Sequence, residues 1–168
     1  MRTLLIAAAL SACVFADSNP LTQAVTKSYN TAKQNLIETS EAMPEADYGY
    51  QLTKEQRPFS GWIEHTAVGN YSLCSSIKGE KPPEAAHAVH GLTKKADLTN
   101  ALKQSFEYCD SALQGMDDKT ALTDRDGKYA VNSMVGLVTF LNEHYGNLVG
   151  YMRTKGITPP SSARAAKK

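Results

Sequence analysis

The sequence predicts an all-α fold, a four-helix bundle. Three observations predict it. Four segments of about twenty residues carry apolar side chains at helical spacing, no segment shows the alternation of a strand, and the connections are polar and marked by Pro or Gly. With 168 residues the chain has room for one domain and a sizeable core.

The N-terminus, "MRTLLIAAALSACVFADSNP", reads as a secretory signal. Arg2 supplies the positive start, Leu4 to Leu10 the short apolar run, and Val14 and Ala16 the small residues before a cut ahead of Asp17. Residues 1–16 are therefore expected to be a signal peptide, with the bundle over 17–156. The apolar run is too short to cross a bilayer. "LSAC", ending at Cys13, also looks like a bacterial lipobox, in which Cys13 would be lipidated and anchor the chain. Both readings take the mature protein out of the cytoplasm, as a secreted or periplasmic protein or as a lipoprotein.

The first helix is expected from about Leu21 to Met43, with Leu21, Val25, Ala32, Leu36 and Met43 on one stripe and Pro44 as its stop. The second runs from about Ser60, a plausible cap, to Lys78, with Gly79 closing it. Its stripe is Ile63, Ala67, Asn70, Cys74 and Ile77. The third runs from about Lys95 to Met116 after Thr93, with Leu98, Leu102, Cys109, Leu113 and Met116. The fourth runs from about Lys128 to Thr154 and stops at Gly156 and Pro159. The end, "PPSSARAAKK" within residues 157–168, is polar and Pro-led and is expected to be a disordered tail, its Arg164, Lys167 and Lys168 in solvent.

The connection between the second and third helices carries topological information. The second helix is about 28 Å long, and a linker of about fifteen residues reaches roughly 50 Å. The linker is thus long enough to cross the bundle and let the two helices run parallel. Cys74 and Cys109 each lie fourteen residues past the expected start of their helix, Ser60 and Lys95, so in a parallel pair they share one height. An oxidising compartment permits a disulfide there. Two buried free thiols are the alternative, because cysteine packs well as a small hydrophobe.

Charge excludes some partners. The chain has 18 basic residues, one of them Arg2 in the leader, against 17 acidic ones, so nothing favours nucleic acid or an anionic membrane surface. No paired ExxH motifs mark a di-iron bundle, no HExxH marks a zinc protease, and no GxSxG marks a nucleophile elbow.

In the fourth helix, Ala130, Leu137, His144 and Tyr151 recur every seven residues and Met134, Leu141 and Leu148 fill the alternate positions. His144 therefore stands in a core seam, where an unpartnered imidazole costs a few kcal/mol. A metal, a polar side chain or water must meet it. His65, beside Trp62 and Ile63 on the second helix, is the natural neighbour, with Asn70 and Ser72 further along. The alternative is a core histidine satisfied by hydrogen bonds. His87 and His90 form an HxxH pair in the linker, which reads as exposed loop.

"GWIEHTAVGNYSLC" and "EHYGNLVGYMRTKGITPPSS" resemble two segments of the DinB-like proteins of the DinB/YfiT superfamily, and "ADYGYQLTKEQRPFSGWIEH" resembles the family's approach to its first histidine. The resemblance implies an up-down-down-up bundle with helices two and three parallel. It further implies a divalent metal, zinc or nickel, held by one histidine of helix two and an HxxxH pair of helix four. His65 matches the first ligand and His144 the last. Phe140 stands where the middle histidine belongs, and Asn147 where glutamine is common. Phenylalanine cannot ligate, and two ligands fall short of the three that catalytic zinc sites use. The expectation is thus a degenerate metal or small-ligand site built on His65 and His144 and lined by Trp62, Asn70, Phe140 and Asn147. Two alternatives stand beside it: a metal-dependent thiol transferase or hydrolase, and a bundle acting only through its surface. A homodimer is compatible with the resemblance.

Overall fold

A computed structural model describes residues 19–167; the expected signal peptide and Cys13 lie outside the described residues. The described chain is helical, with α1 (Pro20–Ala42), α2 (Phe59–Lys78), α3 (Lys95–Leu113), α4 (Asp118–Ala121), α5 (Ala130–Thr154) and α6 (Pro160–Ala165). Two 3-10 turns, Glu45–Asp47 and Glu84–Val89, lie in the connections. The four long helices are those the periodicity predicts. Every residue of the predicted α5 seam is buried, His144 included, as is the whole predicted stripe of α2.

The ends differ from expectation by one to three residues, the largest at the end of α3, which stops at Leu113 and not at Met116. Ser60 is not the cap of α2. Pro58 precedes the helix, and the first amides, Phe59 and Ser60, donate to the carbonyls of Tyr50 and Tyr48, so the incoming loop supplies the acceptors. Likewise Thr93 does not cap α3: the Lys95 amide donates to the Glu45 carboxylate, brought over from the first connection. Gly79 closes α2 in the left-handed region (φ 75°), as a glycine there should. The Arg125 guanidinium donates to the Ile77 carbonyl at the same helix end.

Register pairs relate the long helices. Between α2 and α3, Asn70 meets Ser105 and Cys74 meets Cys109, so residue numbers rise together. Cys74 and Cys109 are joined as a disulfide, their Cα atoms 5.2 Å apart. Between α2 and α5 the numbers run in opposite senses: Trp62 meets Tyr151, His65 meets His144, and Gly69 meets Phe140. Between α1 and α3 they also oppose: Tyr29 donates to Asp110, and Ser40 bonds Thr99.

The start of α1 is capped from a distance. The Asp118 carboxylate accepts from the amides of Leu21 and Thr22 and from the Thr22 hydroxyl, and Asn19 returns an acceptor to the Asp118 amide. Partial removal from water works to raise the Asp118 pKa, but these donors outweigh it and hold the carboxyl below the ordinary range.

The C-terminal segment corrects the expectation of a disordered tail. α6 packs against α1 and α5. Pro160 is buried, the Tyr145 hydroxyl donates to Ser161 Oγ (2.7 Å) and accepts from the Ser161 amide (3.0 Å), and Arg164 bonds Glu38 and Asn35. Composition is polar here because the segment docks through hydrogen bonds, and those partners lie far away in sequence. No helix among the described residues is long and apolar enough to cross a membrane.

Candidate functional site

The α2–α5 contact brings His65 and His144 together. Their rings lie 5.1 Å apart, inclined by 30°. Trp62, one turn before His65, stands nearly perpendicular to the His144 ring, with centroids 5.2 Å apart. The indole is fixed in turn: its Nε1 donates to the Tyr151 hydroxyl, which donates to the Arg57 carbonyl and lies 3.0 Å from the Gln56 side chain. Phe140 completes the group, 3.9 Å from the His144 ring and 5.7 Å from that of His65.

Phe140 fits because Gly69 faces it. A Cβ at position 69 would overlap the Phe140 ring at Cζ. Gly69 lies one turn after His65, so the same face of α2 that presents the imidazole also leaves space for the aromatic ring. The pairing is not readable from sequence, because glycine inside a helix gives no sign of which neighbour it admits.

The chemistry of His144 follows from its bonds. Its Nδ1 lies 2.7 Å from the Phe140 carbonyl oxygen, an acceptor, so Nδ1 carries the proton. Nε2 is therefore the bare nitrogen. It is buried and meets no hydrogen-bond partner among the described residues. Burial pushes the His144 pKa down, with His65 and Arg57 adding to it, while the Phe140 carbonyl opposes. His65 is also pushed down, by burial first and then by Arg57, against Glu64. Both rings are consequently neutral at pH 7, and one of them offers a lone pair inside the protein.

Two residues expected in this pocket lie elsewhere. Asn70 is fully buried but turns toward α3, where its Nδ2 donates to Ser105. It sits five residues past His65, which moves it around the helix to another neighbour. Asn147 bonds the Glu143 carbonyl of its own helix. His87 and His90 are exposed, and His90 lies against Glu64 (3.4 Å).

The donor set does not fit a catalytic three-histidine metal centre. Among the described residues no three His, Cys, Asp or Glu side chains come together to hold an ion, and the Phe140 ring covers the side of the imidazole pair where a third ligand would project. The bare Nε2 still suits a guest that presents a hydrogen-bond donor or an electron-pair acceptor.

The fold and site thus define an all-helical protein with a neutral imidazole pair between two of its long helices. The chain belongs to the DinB superfamily, whose family model matches residues 28–152, from within α1 to near the end of α5. No curated protein matches it.

Proposed function

We propose that the four long helices form an up-down-down-up bundle, with α2 and α3 parallel, that acts outside the cytoplasm as a binding protein. Its His65–His144 pocket takes a small guest or a loosely held divalent ion and runs no metal-dependent reaction. The register pairs support the topology. The disulfide supports an oxidising compartment.

One observation carries the reading of the site: the bare, buried Nε2 of His144 beside a second neutral imidazole. Leaving such an atom unpaired costs about 1–3 kcal/mol, which a bound guest offsets. Zinc or nickel would find two imidazole ligands and bind weakly for want of a third. The same shortage argues against the thiol-transferase or hydrolase alternative.

Calorimetric titration of the mature protein with zinc, nickel and copper tests this. The expected result is weak, one-to-one binding that disappears in His144→Ala. Binding unchanged in that variant, or no heat from any ion, would remove the metal from the proposal and leave a bundle whose histidines are structural.

A further inference from the structure

A cavity of about 390 Å³ opens beside His65, between the first turns of α2 and the end of the long crossover. Arg57, Pro58, Gly61, Glu64, His65, Val68 and His90 line it. Its size suits a small organic molecule, and its walls divide into an apolar side, Pro58, Gly61 and Val68, and a polar rim.

The rim is asymmetric in charge. Glu64 is already engaged: its Oε1 accepts from the Gly91 amide at 3.0 Å and lies 3.4 Å from His90 Nδ1. Arg57 is not. Its guanidinium makes no ion pair among the described residues and lies over the Trp62 ring, 5.4 Å from the centroid. Trp62, held by Tyr151, therefore presents the guanidinium at the mouth of the cavity. A planar guanidinium with its forked donors free is shaped for a carboxylate.

We propose that this cavity binds a small organic carboxylate, with the carboxylate on Arg57 and the organic portion against Pro58, Gly61 and Val68, beside the imidazole pair. The inference rests on the reading of this region as a guest pocket, but not on any metal.

Trp62 is the only tryptophan in the chain, so its fluorescence reports on Arg57 directly. The mature protein is titrated with benzoate and lactate at fixed ionic strength, with benzamide and sodium chloride as controls. The expected result is a saturable change in Trp62 emission with a carboxylate and none with benzamide or chloride. In Arg57→Gln, whose side chain is exposed and outside the core, affinity falls by roughly tenfold or more. The titration is run without added metal and with a chelator present, so failure of the metal proposal leaves this result intact. No saturable change with either carboxylate, an equal response to benzamide or chloride, or undiminished binding in a folded Arg57→Gln would overturn the assignment.

Discussion

The two faces of α2 are held to their neighbours in different ways. Toward α3 the helix is fastened: Cys74 is bonded to Cys109, the Asn70 amide donates to Ser105, and Ser75 shares a hydrogen bond with Tyr108. Toward α5 it is left open to chemistry: His65 stacks on His144, Gly69 yields to Phe140, and the His144 Nε2 has no partner. One helix thus carries a covalent brace on one side and on the other faces the unpartnered Nε2 of His144 on α5. The comparison separates a covalently fastened face from the face that carries the candidate site. The brace ties α2 to α3, while the imidazole pair is set by the packing of α2 on α5.

The largest expected effect lies on the braced face. The disulfide closes a loop with a sequence separation of 35 residues, so Cys74→Ala with Cys109→Ala should lower stability by about 4 kcal/mol, read from denaturant unfolding. Metal affinity at low temperature should change little, which would confirm that the faces act separately. A large loss of metal binding in a still-folded double variant would break the comparison.

On the open face, Phe140→His supplies the third imidazole. Zinc or nickel affinity by calorimetry should rise roughly a hundredfold or more over the native chain, and the gain should vanish when His144→Ala is added. An unchanged affinity would mean that the ring does not cover the ligand side of the pair. Gly69→Ala should destabilise by about 1–3 kcal/mol through overpacking, and Phe140→Ala in the same chain should recover part of that loss. Additive losses would show that the two positions are not coupled.

The smallest effect concerns the remote cap. The Asp118 carboxyl is held below its ordinary pKa of 3.8 by donors at the start of α1. A depressed carboxylate contributes stability above the unfolded pKa and loses it as pH falls through the folded value. Asp118→Ala should therefore lower the thermal midpoint near neutral pH, and the gap to the native protein should narrow in acid below the ordinary carboxylate range. A gap that widens in acid would contradict the cap.

Much of this was legible in the sequence where a residue's role is set by its own helix. Leu137, His144 and Leu148 announce a buried seam by spacing alone, Gly79 announces a helix end, and equal counts along two helices put Cys74 and Cys109 level. The illegible parts are those decided by a distant partner. The polarity of Ser161 and Arg164 reads as solvent exposure until Tyr145, Glu38 and Asn35 are seen to receive them. Asn70 shares a stripe with core residues of α2, and only packing reveals that it faces α3. Gly69 is informative only beside Phe140.

The most direct measurement is nitrogen NMR of the four histidine rings during a zinc titration of the protein. The account predicts that His144 carries its proton on Nδ1 with Nε2 bare, and that zinc shifts the His65 and His144 signals together while His87 and His90 stay in place. A proton on His144 Nε2, or a zinc response from one of the paired rings without the other, would contradict it.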